Sequence, residues 1–336
     1  MIASLRRASV WVVCCALAAC APRAVPEDAA FDGLSPTDAV SDTVPPPDSA
    51  RADASVCRAT AFESRLDLRY HTVSGVDPNL LSLDLYLPTL APGCAPPPLV
   101  VYVHGGAWVV GDKRNQIDTK VRYFTGEGYA FASVNYRLSP AMAGQPGVRY
   151  PVHNQDAARA LAWLRSNAGT YGYRAEGITL FGHSAGAGIV TLVGTDPQFL
   201  TEQGRSFADL SCVVSLDTEA YDVTTQAMEP GQPGMIYRNA FGSDPMVWSR
   251  ASPLSNGTLA AGSNIVPFLV VTRGEPARRA LSQRLVDALR AAGVRATLHT
   301  AERLTHEGVT DAVGLAGDTA LMPVFGPFVS ACARGQ

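Results

Sequence analysis

Ile178-Thr179-Leu180-Phe181-Gly182-His183-Ser184-Ala185-Gly186-Ala187-Gly188-Ile189-Val190 is the stretch on which the fold turns. Its first four residues are a short apolar run of strand character. Its last residues, small and apolar, suit a helix that packs closely against a neighbour. Between them stands Gly-x-Ser-x-Gly at 182–186. A strand that breaks at once into a helix strains the residue at the corner, and small neighbours must let the chain pass. Gly182 and Gly186 provide that space. The Ser184 hydroxyl is left at a helix N-terminus, where developing negative charge is favoured. The pentapeptide alone could be a plain turn; the flanking strand and helix single out Ser184 as a candidate nucleophile.

Upstream, the apolar run Leu99–Val103 ends in His104-Gly105-Gly106-Ala107-Trp108. An acyl-transfer site needs backbone N–H groups aimed at the oxyanion of a tetrahedral intermediate, and glycines present such amides without obstruction. Gly105 and Gly106, with the N–H of Ala185, are the candidate donors. By itself the loop needs no role beyond chain reversal; paired with the serine turn it becomes a candidate oxyanion hole.

Around these two segments strands and helices alternate. Leu66–Val73 and Leu81–Leu87 read as an N-terminal hairpin, and Ala130–Tyr136 as the next strand. A helix covers about 154–167, with Ala157, Ala160, Leu161 and Leu164 on one face. Val213–Leu216, Phe268–Val271 and Ala296–His299 supply three further strands, and helices at roughly 277–292 and 319–333 complete the series. Repeated strand–helix units predict an α/β fold with a mostly parallel central sheet and helices on both faces. Residues 57–336 are expected to form one catalytic domain.

With these motifs the chain resembles the α/β-hydrolase superfamily, in its HGG(G/A)W esterase and lipase branch. That branch holds hormone-sensitive-lipase-like esterases and a feruloyl- or acetyl-esterase-like group. The resemblance covers about residues 65–333. It extends to Asn135-Tyr136-Arg137-Leu138 and to Tyr150-Pro151 through Gln155-Asp156, elements that are mostly structural in the family, Asp156 included. It implies a serine carboxylesterase working through a Ser–His–acid triad and an acyl-enzyme, with no metal and no cofactor.

The general base must then be a histidine beyond the last strand. Of His71, His104, His153, His183, His299 and His306, the first four belong to earlier elements and His299 falls within that strand. His306 lies in the loop just after it. The acid departs from the family pattern. Past the Phe268 strand the family has an Asp, whereas this chain reads Arg273-Gly274-Glu275-Pro276-Ala277-Arg278. Glu275 is one candidate. Asp217, at the end of the preceding strand, is preferred because Pro276 starts a helix and leaves Glu275 little room to turn. Glu219 and Asp222 are lesser candidates. The stretch 221–264, with its scattered Met and aromatic residues, is either a cap over the substrate pocket or ordinary helix packing.

The N-terminus carries its own signal. Arg6 and Arg7 precede the apolar run Val10–Ala19, about ten residues, too short to span a bilayer. Leu17-Ala18-Ala19-Cys20 resembles a bacterial lipobox. Residues 1–19 are therefore expected to be a signal peptide, Cys20 the lipidated residue, and 20–56, rich in Pro, Ala and Asp, a tether that cannot bury a core. Ordinary signal cleavage near the same place is the alternative. The expected location is the cell envelope, lipid-anchored, or outside the cell. Loss of residues 1–19 takes two arginines and moves the net charge from −3 to −5. With no basic stripe, and Lys113 and Lys120 the only lysines, a nucleic-acid partner is excluded. Of seven cysteines, Cys57, Cys94, Cys212 and Cys332 follow the leader. A hairpin between the first two strands would pair Cys57 with Cys94 and leave Cys212 to Cys332, unless all four are buried free thiols. The substrate is expected to be a small or polymeric ester. A formamidase or amidase on the same fold, and a non-catalytic binding lipoprotein, are the rivals.

Overall fold

The computed structural model describes residues 57–140, 147–259 and 264–335. The expected leader (1–19), Cys20 and the tether (20–56) lie outside the described residues. Short apolar runs become strands: β1 (Phe62–Arg69), β2 (Ser82–Pro88), β3 (Leu99–Val103), β4 (Ala130–Val134), β5 (Ile178–His183), β6 (Leu210–Leu216), β7 (Phe268–Thr272) and β8 (Ala296–Thr300). They form one sheet in the order β1-β2-β4-β3-β5-β6-β7-β8. The β1–β2 and β2–β4 pairs are antiparallel and all others parallel.

The order places β5 near the middle, so the turn after it opens at the C-terminal edge of a sheet covered on both faces. Alternation divides the side chains. Leu99, Val101 and Val103 of β3 join one core with α2 (Val152–Tyr171), α3 (Ala185–Thr195), α4 (Pro197–Thr201) and α8 (Pro276–Ala291). Val100 and Tyr102 join the other, with α1 (Asp118–Gly126), α9 (His306–Asp311) and α10 (Met322–Ala333). Two buried layers explain why the central strands read as continuous apolar runs.

The expected hairpin forms, but β1 begins and ends four residues earlier than its hydrophobic alternation indicates. The physical reason is its edge position. Nearly every β1 residue is exposed, and the strand is held by its ladder to β2, from Phe62 opposite Pro88 to Arg69 opposite Ser82, with a bulge before Leu68. Apolar periodicity does not define a strand that buries no face. The helix expected at about 154–167 also runs longer, ending at Gly172 in the left-handed region. Disulfides join Cys57 to Cys94 and Cys212 to Cys332, the second tying β6 to α10. Asp156 is buried under Arg137 and Arg159, at 2.7 Å and 3.0 Å, a structural contact.

Candidate active site

β5 ends at His183 and α3 begins at Ala185, leaving Ser184 at the corner with φ 55° and ψ −119°. A non-glycine residue there carries strain of about 1–3 kcal/mol, which the surrounding packing must hold. The packing is close. A β-carbon on Gly186 would stand 2.2 Å from the Val103 carbonyl oxygen, so only glycine lets α3 pass the end of β3. The Ser184 N–H donates to the Leu216 carbonyl at 2.9 Å, tying the corner to the neighbouring strand. Ser184 itself stays half-buried.

His306 is the first residue of α9, whose start is fixed by Thr305, its hydroxyl accepting the Gly308 N–H at 3.0 Å. His306 Nε2 lies 2.9 Å from Ser184 Oγ, and Nδ1 lies 2.6 Å from Asp217 Oδ2. An Nδ1–H that donates to the carboxylate leaves Nε2 as acceptor for the serine O–H. Asp217 follows β6 directly, at φ 49°, and is fully buried. Burial pushes its carboxyl up. The hydrogen bond from His306, the charge of Arg278 and the Arg273 N–H at 3.2 Å more than offset this and hold it below the usual carboxylate range.

The other candidate acids lie elsewhere. Glu275 directly precedes α8 without a side-chain capping hydrogen bond and faces Arg273 at 3.3 Å, with its side chain exposed. Glu219 pairs with Arg278 at 2.9 Å, and Asp222 caps α5 (Val223–Met228) through the Thr225 N–H. Among the described residues, Asp217 is the carboxylate within hydrogen-bond distance of the imidazole.

The glycine loop approaches from β3. A β-carbon on Gly105 would meet both Ser184 Cβ and the His183 carbonyl at 3.0 Å. Gly106, Ala107 and Trp108 all have positive φ, and Val109 and Val110 donate back to the Gly106 carbonyl. The Ala185 amide opens α3 and has no intrahelical acceptor. His104 braces the loop: its Nδ1–H donates to the Gly105 carbonyl at 2.7 Å while its ring stacks on Tyr136. A cleft of about 470 Å³ runs between this loop and α9, lined by Tyr102, Gly105, Gly106, Gln116, His183 and Glu307 among others. Of the 221–264 stretch, α5, α6 (Gly231–Phe241) and α7 (Pro245–Arg250) are helices. Tyr237 and Phe241 meet Trp108 edge-on at 5.4 Å and 5.0 Å, so this segment packs onto the glycine loop.

His183 and the two arginines near Asp217 are the participants that sequence reasoning passed over. The buried His183 ring lies 4.6 Å from that of His306, and its Nε2–H donates to the His306 carbonyl at 2.8 Å. Burial, helped by the charge His306 can carry, pulls its pKa down to about 3, so it is a neutral donor. Nothing in the x position of Gly-x-Ser-x-Gly marks it out, because the contact spans 123 residues.

A family model described as BD-FAE matches residues 83–223, which hold both glycine motifs, Ser184 and Asp217. Esterase LipQ of Mycobacterium tuberculosis is 32% identical over 227 residues, 64% of this chain and 50% of the relative. Esterase LipC of the same organism is 29% identical over 185 residues, 52% and 43% of the two chains. The chain is thus homologous to esterases, and spans about half the length of these curated relatives. Among solved structures, Esterase B from Lactobacillus rhamnosis superimposes with a TM-score of 0.63 at 22% identity, over 82% of this chain and 86% of that one. The shared architecture is the α/β-hydrolase fold.

Proposed function

We propose that the chain is a serine carboxylesterase in which Ser184, His306 and Asp217 form the triad. The observation that carries this reading is the unbroken line of hydrogen bonds from the Ser184 hydroxyl through His306 to a buried carboxylate. Ser184 Oγ attacks the ester carbonyl as His306 Nε2 takes its proton. The negative charge that forms on the carbonyl oxygen is held by the amides of Gly105, Gly106 and Ala185, each such donor being worth about 10²–10³ in rate. Asp217 keeps Nδ1 protonated and stabilises the imidazolium. The imidazolium returns its proton to the departing alcohol, leaving an acyl group on Ser184. Water, deprotonated by the same nitrogen, then releases the acid and restores the serine.

The esterase relatives support the ester over other acyl substrates. The test is steady-state turnover of short-chain aryl esters beside N-formyl amines. Ester turnover that disappears in Ser184→Ala is expected. Turnover confined to N-formyl amines would replace the reading with a formamidase, and no turnover of either by folded protein would leave a binding module.

A further inference from the structure

The acid of the triad is surrounded by positive charge. Arg278 Nη1 lies 3.6 Å from Asp217 Oδ1, and Arg273 Nε lies 3.4 Å from Oδ2, the oxygen that accepts from His306. Neither contact is a hydrogen bond, and the Nε of each arginine is buried without a hydrogen-bond partner. Both guanidinium groups therefore act on the carboxylate through charge rather than by directing its geometry. They come from the Arg273–Arg278 segment, where the family resemblance leads one to expect an acid.

Other charges complete the surroundings. From the loop after β6, Glu219 pairs with Arg278 at 2.9 Å; from the turn before α8, Glu275 faces Arg273 at 3.3 Å. On α9, Glu307 follows His306 directly. From β5 comes the neutral His183 ring, and from α1 the buried Lys120, which donates to the Gln116 and Thr310 carbonyls. Asp222 and Arg284 pair farther along. The two arginines are the cations within 4 Å of the Asp217 carboxylate among the described residues.

We propose that Arg278, together with Arg273, forms a charge clamp on Asp217 that sets the lower pH limit of catalysis by weakening the pull of Asp217 on a proton at His306. The proposal rests on the hydrolase reading above. A carboxylate beside an imidazole favours the protonated ring, and cations beside that carboxylate oppose it. The base works only while unprotonated, so the clamp extends activity to lower pH than Asp217 alone would allow. Glu219 offsets part of the charge on Arg278 and acts in the opposite direction.

The experiment follows the acid limb of kcat/KM for phenyl acetate. Arg278→Gln should raise its midpoint by about one pH unit, a tenfold change in proton affinity. Glu219→Gln should lower it, and Arg278→Lys should leave it near that of the unaltered enzyme. Opposite movements from Arg278→Gln and Glu219→Gln cannot come from lost packing. An unmoved midpoint in Arg278→Gln, or movement of both in one direction, overturns the proposal. The histidine ¹⁵N resonances of Ser184→Ala, with and without Arg278→Gln, give a second readout that needs no turnover. A titration that moves upward while the protein with Ser184 intact turns over no ester keeps the clamp and removes the hydrolase reading. Turnover with both readouts unmoved removes the clamp alone.

Discussion

Ser184, His306 and Asp217 come from three separate strand ends, and each is set by its immediate neighbours: a strained corner, a Thr-capped helix start and a positive-φ residue. In the proposed triad nearly all orienting power rests with Asp217. Asp217→Asn should lower kcat by about four orders of magnitude, because the amide favours the wrong imidazole tautomer. Glu275→Gln should change kcat by no more than a few-fold, its side chain being exposed and turned to Arg273. Steady-state kinetics of the two variants decides; the reverse ranking would move the acid to Glu275. At this scale the sequence was legible where chemistry needs particular neighbours, as at Gly182–Gly186, and where chain order leaves one histidine, His306. The choice of acid rests on the strand-end position of Asp217 and on Pro276, which leaves Glu275 little room to turn. Arg278 and His183 were not legible, since their roles arise from contacts 61 and 123 residues apart along the chain.

The elements explain why the corner holds. β5 lies between β3 and β6, and α3 is buried along its whole length, so its N-terminus cannot withdraw without opening the core. Gly186 is where α3 passes β3. Gly186→Ala should destabilise the fold by more than about 2 kcal/mol, since the clash is with backbone and no rotamer relieves it. Urea unfolding checks this, and an unchanged midpoint would mean that β3 and α3 are not so close. Buried parallel strands were readable as apolar runs because both of their faces are covered. The bounds of β1 were not, because an exposed edge strand is fixed by its partner rather than by its own pattern. The 221–264 stretch has no clear period for a related reason: α5, α6 and α7 pack largely through Tyr237, Phe241 and Trp248, while Met228, Met235 and Met246 stay exposed.

In the whole molecule, one sheet gathers the ends of β3, β5, β6 and β8 at a single edge and brings residues far apart in sequence to one point. Among the described residues two disulfides fasten its periphery, Cys57–Cys94 at the N-terminal approach and Cys212–Cys332 between sheet and last helix, the pairing that a hairpin of the first two strands implies. The fold was readable from strand–helix alternation. The cleft beside the glycine loop was not, since its walls come from β3, the following loop, β5 and α9. All of this architecture serves to hold one hydroxyl in reach of one imidazole. The direct test is to expose the folded protein to an alkyl phosphonate ester, digest it and map the adduct by mass spectrometry. A single phosphonyl group on the peptide containing Ser184, lost in His306→Ala, is the predicted result. An unmodified Ser184, or modification of another residue with Ser184 intact, would contradict the account.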